Sequence, residues 1–374
     1  MEYARKVVWI LGAGFSKPLG GPMLADLLSA SSQPAVDAIY SGIDGLRNGA
    51  SRVLREMVDS HAARFPHPRI WSDAEDLVDQ LDSAARDKAG PQGLRFRALV
   101  GLLASNVAAS RDFDLWDLRV AARRRIAAEC CAFLEGRSTN EEKWDPYRSW
   151  AEQLGANDTI LTFNYDRVLE MLGSIDIIPP DSSGLPIASQ RAQVLKLHGS
   201  VDWKRVKGPE AVTRFEVTND RMFALTCEGE EIGMATPGPS KREVTEDLGA
   251  LWSLACKRLH EADAIVFVGY RFPPTDAEAR GRLLGAIENN HDGYSGHHLK
   301  LHIVLGPDLG HPDVVGLEGL LHAVLLRNGR VNVEEARRVG SNVSNMRAYG
   351  VIRQPLWAED FFTVWSPSQL HFRA

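Results

Sequence analysis

Residues 6–11, Lys-Val-Val-Trp-Ile-Leu, form an apolar run that stops at Gly12. A short run rich in Val, Trp and Ile and closed by glycine predicts a strand buried on both faces. Gly12 to Gly21 predicts a glycine-rich loop, and Pro22 through Leu28 the start of a helix with proline in its first turn. From about 34 to 155 the pattern is mostly helical: Leu77, Val78, Leu81 and Ala85 mark one face of 73–86, and 94–107 and 115–134 read the same way. Strands and helices then alternate. The strands fall at 159–163, 193–197, 264–268 and 299–305, and the helices at 165–172, 246–260 and 275–287. Such alternation predicts an α/β fold with a parallel sheet covered on both faces. The helical stretch between the first two strands is then an insertion. The Ser-, Gly- and Pro-containing segment 181–189 predicts a loop. Beyond about 330 no clear pattern emerges until Trp357 to Trp365, so 331–374 is expected to be a C-terminal extension. Its aromatics Trp357, Phe361 and Trp365 would suit either a docking interface or packing against the parent domain.

Composition narrows the function classes. With 374 residues, 44% of them hydrophobic, a large core is available and no disulfide or metal staple is needed for size. The net charge of −6 argues against general nucleic-acid binding. Arg119, Arg123, Arg124 and Arg125 form a basic cluster on a predicted helix, expected to be a solvated face, with a partner or nucleic-acid contact as the alternative. Cys130 and Cys131 are adjacent, and Cys227 and Cys256 lie far apart, so neither a disulfide framework nor a four-cysteine zinc site is expected. A reducing cytoplasm is the natural compartment. The apolar run near residue 7 is too short for a membrane span, which takes roughly 20 residues.

Four motifs leave the predicted strands. Gly12-Ala13-Gly14-Phe15-Ser16 follows the first, where glycines allow close backbone approach and a helix N-terminus favours a phosphate; a tight turn that binds nothing is the alternative. Lys17 occupies the place of the third glycine of a dehydrogenase fingerprint, and no Walker loop is present. Thr162-Phe163-Asn164-Tyr165-Asp166 follows the second, with Asn164 and Asp166 either functional or simple helix caps. Leu197-His198-Gly199-Ser200 brings a histidine that could equally be structural. Val268-Gly269-Tyr270-Arg271-Phe272-Pro273-Pro274-Thr275-Asp276 could be a strand–turn–helix junction capped by Thr275 or Asp276. All four stand at one end of four parallel strands, where open α/β sheets bind ligands. Together they describe a dinucleotide crevice containing an Asn, an Asp and a His.

The ordered set GAGFS, TFNYD, KLHGS and VGYRFPPTD resembles the sirtuin-like NAD-consuming domain family of bacterial defence proteins, over about Val7 to Leu305. Ser72-Asp73-Ala74-Glu75-Asp76-Leu77 resembles that family's acidic helical segment. The resemblance implies a Rossmann-like fold over 1–330, with the helical insertion at about 34–155, and NAD as the substrate. It implies Asn164 and His198 as the residues required for cleavage, with Asp166 orienting their surroundings. Gly12, Ala13, Gly14, Phe15, Ser16, Thr162, Gly199, Gly269, Tyr270 and Asp276 would bind the dinucleotide. Ala13, Gly14 and Ser16 would lie at its pyrophosphate, and Gly269 and Tyr270 on its adenosine side. The deacylase branch would carry two C-x-x-C pairs after the histidine, a TQN motif and a Phe-Arg after the glycine loop. Here the pairs and the zinc module are missing, Thr162-Phe163-Asn164 replaces TQN, and Met23-Leu24 replaces Phe-Arg. The expectation is therefore an NAD glycohydrolase that depletes NAD in antiviral defence. Control is expected from homo-oligomerisation or from a partner such as a HerA-like ring ATPase. A non-catalytic NAD- or nucleotide-binding regulator is the main alternative, and a protein deacylase or ADP-ribosyltransferase another.

Overall fold

Val7–Leu11 is the interior strand β1, and each of its five residues is buried. The strands that follow are β2 (Thr159–Thr162), β3 (Asp176–Ile177), β4 (Gln193–Lys196), β5 (Gly199–Lys207), β6 (Thr213–Val217), β7 (Ile232–Met234), β8 (Ala264–Val268), β9 (Leu299–Val304), β10 (Val331–Asn332) and β11 (Ala348–Gln354). The computed structural model describes residues 6–65, 70–105, 113–180, 190–208, 213–235, 239–273, 276–290, 298–341 and 346–366. The loop expected at 181–189 lies outside them, as does Thr275.

Eight strands make one parallel sheet in the order β10-β11-β9-β8-β1-β2-β4-β3. Ile10 of β1 faces Leu161 of β2 on one side and Phe267 of β8 on the other. The chain builds outward from β1 in both directions, which puts a topological switch point at its carboxyl end. Side chains alternate across the sheet. Val8 and Ile10 join Leu195, Ile265 and Leu301 under the helices Gly249–His260, Ala277–Glu288 and Pro312–Arg327. Val7, Trp9 and Leu11 face the helices Asp145–Gln153, Val168–Leu172 and Ala358–Val364. The fold is thus α/β and Rossmann-like. Its helical insertion, between β1 and β2, buries a core of its own, completed by Val201 of β5 and Ile232 and Met234 of β7. Those strands belong to a small sheet of order β6-β5-β7, antiparallel in its pairings. No helix among the described residues is long and apolar enough to cross a membrane.

Several expectations need correction. Pro22–Leu28 is a succession of turns and not a helix. Asp26 Oδ2 accepts from Met23 N–H at 2.9 Å, Leu28 has a φ of +49°, and its N–H goes to Glu129 Oε2 at 2.9 Å. The single helix expected over 246–260 is two, Pro239–Asp247 and Gly249–His260, broken at Leu248 beside a poor helix former. Residue 330 does not bound the sheet, because β11 pairs with β9 from Tyr349↔Leu299 to Gln354↔Val304. The helix Ala358–Val364 closes over β1: Trp365 and Trp150 stand edge-on to Trp9 at 5.0 and 5.3 Å, and Phe361 and Phe362 are buried. Of the tail aromatics only Trp357 stays exposed. The arginine cluster is no solvated face either. Arg123 donates to the carbonyls of Gly229, Ile232 and Met234, clamping the small sheet to the insertion. Arg119 pairs with the buried Asp82, and Arg125 with Asp37 and Glu129. Burial lowers the Arg123 guanidinium to about 10, so these charges are held by partners and not by water.

The sheet carries an acid-sensitive position. His302 is 2% exposed in β9, and burial lowers its imidazole to about 4 from 6.5. The unfolded chain therefore takes up a proton between about pH 6.5 and 4 that the folded chain refuses, and stability falls as pH drops through that window. The loss should approach about 3 kcal/mol at pH 4. His302→Gln should flatten urea midpoints over that window; an unchanged acid slope would contradict the assignment.

Candidate functional site

A cleft of about 620 Å3 opens at the carboxyl ends of the central strands. That volume suits a ligand site. Gly12, Gly14, Phe163, Asn164, His198, Gly269 and Asp276 line it from the sheet side. Glu75, Ile126 and Cys130 face it from the insertion, and Met23 and Leu24 from the turn segment. At the other end Trp357 lies over Gly306, so close that a Cβ there would fall 2.6 Å from the indole ring.

Asn164 leaves β2 and is held from behind. Its Nδ2 donates to Gly12 O and to Ser16 Oγ, both at 3.0 Å. A carbonyl can only accept, so the orientation of the amide is determined and Oδ1 remains as its acceptor. Ser16 Oγ in turn donates to Asp166 Oδ2 at 2.7 Å, and Asp166 Oδ1 accepts from Val168 N–H at 3.0 Å. That cap delays the helix expected at 165 until Val168. Burial raises the Asp166 carboxyl above its usual range, against the pull of Lys196. Lys196 is 1% exposed and binds Asp166 O at 2.6 Å, Glu170 Oε1 at 2.8 Å and Ser200 Oγ at 2.8 Å. A lysine inside a strand buried on both faces was the signal that could have marked it as a brace for the Asp166 and His198 loops.

His198 leaves β4 and packs edge-on against Phe163 at 4.8 Å. Its Nε2 lies 3.5 Å from Asp276 Oδ2. Tyr270 stacks on Phe163 at 4.1 Å with an interplanar angle of 7°, and its hydroxyl meets Asp276 Oδ2 at 3.1 Å. Burial, with Asp276 adding to it, holds the Tyr270 phenol well above its usual range, so it is a neutral donor to that carboxylate. Tyr270 and Asp276 therefore belong to the same wall of the cleft as His198.

The glycines work differently from the sequence expectation. A Cβ on Gly12 would fall 2.5 Å from Gly269 O, and one on Gly14 would fall 2.6 Å from Gly269 Cα. Their bareness lets the β1 and β8 turns cross backbone to backbone, and the cleft wall is the result. Phe15 and Ser16 do not line the cleft: Phe15 is buried edge-on against Tyr147 at 5.2 Å, and the Ser16 hydroxyl is spent on Asn164 and Asp166. Thr162 is buried and accepts Asn164 N–H at 3.1 Å, a positioning contact. Gly199, at a φ of +76°, starts β5, where a Cβ would overlap Gly233 O. Thus Asn164, Asp166, His198, Gly12, Ala13, Gly14, Gly269, Tyr270 and Asp276 share the cleft, while Phe15, Ser16, Thr162 and Gly199 stand behind it or away from it.

Sequence reasoning left Trp357, Arg271, His311 and Asp313 out of the cleft. Arg271 and Asp313 form an ion pair at its mouth. No group of three His, Cys, Asp or Glu side chains among the described residues could hold a metal ion. Burial raises the Cys130 thiol well above its usual range, which makes it an inert wall and not a nucleophile. Compared with family models and with curated proteins, the chain matches none.

Proposed function

We propose that this chain is an NAD glycohydrolase, cleaving NAD to nicotinamide and ADP-ribose. One observation carries the reading: Asn164, oriented through Ser16 and Asp166, and His198, set against Asp276, open onto the same cleft at the switch point of a parallel sheet. Nicotinamide leaves from a cationic ring nitrogen, so its departure needs no general acid and puts positive charge on the ribose. Asn164 Oδ1 would face that charge or hold the attacking water. Asp276 beside Nε2 orients the ring, and His198 would accept a proton from water or a ribose hydroxyl. Phe163 and Tyr270 give this end of the cleft an apolar flank, which strengthens each of these interactions.

The role that fits such chemistry is an NAD-depleting cytoplasmic effector of antiviral defence, held in check by assembly into a homo-oligomer or by a HerA-like ATPase. The resemblance of the four motifs supports that role. Incubation of the purified chain with NAD, alone and with such an ATPase, followed by chromatography for nicotinamide and ADP-ribose, tests the reading. No product under either condition would remove it. His198→Ala should lose at least about a hundredfold in kcat if it accepts the proton. A near-normal rate would make the histidine structural.

A further inference from the structure

The insertion holds a second cavity of about 300 Å3, apart from the cleft. Val36, Leu54 and Val58 give it an apolar floor, and Arg47, Arg52, Arg55 and Arg125 line it with guanidinium groups. Two carboxylates oppose those four cations, and both are already engaged. Asp37 bridges Arg125 at 2.9 Å and Arg55 at 2.5 Å. Glu129 accepts from Arg125 Nε at 3.3 Å, Ser32 Oγ at 2.6 Å and Leu28 N–H at 2.9 Å. Arg47 and Arg52 form no ion pair among the described residues; Arg52 lies in the helix Gly49–Arg64, whose first turn carries no acid, and Arg47 just before it. Arg55 is further paired with Asp59 at 3.9 Å, and the unpaired positive charge of Arg47 and Arg52 sits at the rim of a half-open, partly apolar hollow. A chain of net charge −6 that concentrates cations there has built a local anion trap.

We propose that this cavity binds a small phosphorylated ligand of mononucleotide size or less, with Arg47 and Arg52 on the phosphate and the apolar floor under the rest. Its volume is at the low end for ligand pockets and too small for a dinucleotide. The cavity also shares walls with the cleft. The helix Leu115–Ala132 sends Ala121, Arg125 and Glu129 to the second cavity, and Ile126 and Cys130 to the cleft. Glu129 joins the Arg125 pair to Leu28 N–H, the end of the turn segment whose Met23, Leu24 and Leu27 rim the cleft. A ligand that draws on Arg125 therefore changes what holds that rim. The binding site stands independently of the NAD reading, and only its consequence for activity rests on it.

Hydrogen exchange on the full chain at low ionic strength, with AMP and with uncharged adenosine as the probes, tests this. AMP should protect amides at 37–58 and alter exchange at 22–29, and adenosine should do neither. Arg47→Glu with Arg52→Glu, both on exposed positions, should weaken AMP by at least about tenfold in calorimetry while leaving the melting temperature in place. Asn164→Ala should leave the 37–58 protection intact. AMP protection confined to 164–166 and 269–273, equal protection by adenosine, or an unchanged Kd in the double variant would overturn the site. A change at 22–29 that persists in the double variant would overturn the coupling.

Discussion

Asn164→Ala is expected to abolish NAD cleavage and to leave the fold standing. The side chain joins the β1 turn, through Gly12 O and Ser16 Oγ, to the end of β2 while offering an acceptor to the cleft. Its removal takes away both the orientation and the acceptor, which act together in the transition state. The structural cost is small, because Gly12 lines an open cleft where water can replace the lost donor. A loss of about 1 kcal/mol should move the melting temperature by only a few degrees. Product chromatography beside a thermal melt separates the two effects. Full activity would remove Asn164 from the site, and a collapsed melt would make it structural.

Gly269→Ala is expected to be the most damaging single substitution in the cleft wall. Gly269 has a φ of +63°, and a Cβ there would lie 2.4 Å from Gly14 Cα and 2.5 Å from Phe15 N. Both obstacles are backbone, so no rotamer can yield. The cost should exceed about 4 kcal/mol, seen as a large drop in urea midpoint or as insoluble protein. Gly281, in the helix Ala277–Glu288 with open space around its Cβ position, is the internal control. Gly281→Ala should stabilise by about 0.5–1 kcal/mol. Equal tolerance of both would mean that the two turns do not cross as described.

The strands around the switch point were legible because each is a short apolar run closed by a glycine or a polar residue, and their carboxyl ends named Asn164, His198 and Gly269 directly. The helix Pro312–Arg327 had a readable signal as well, Val314, Leu317 and Leu321 after a proline, which the reading passed over. Other parts carried no local signal. In β5 the residues Ser200 and Asp202 are as buried as Val201 and Trp203, with Lys196 bonded to the Ser200 hydroxyl and Arg167 ion-paired to Asp202, so alternation is absent. The arginines of the insertion read as a surface because their partners, Asp82, Asp37 and the carbonyls of β7, are remote in sequence. Asp276 read as a cap or a dinucleotide contact, and its closeness to His198 became visible only in three dimensions. Residues whose role is to hold another residue leave little trace in spacing, and most of this site is of that kind.

Trp9 and the helix that covers it, Ala358–Val364, lie far apart along the chain, the strand being made long before the helix. The same late segment supplies Trp357 and Ala358 to the cleft. On the ribosome, β1 must therefore wait with one face bare, and the cleft without its Trp357 side, until that segment has emerged. A nascent or prematurely terminated chain would carry Asn164 and His198 in an unfinished pocket. If the proposed activity consumes a metabolite that translation depends on, the order of synthesis itself delays that activity until Ala358–Val364 has been made.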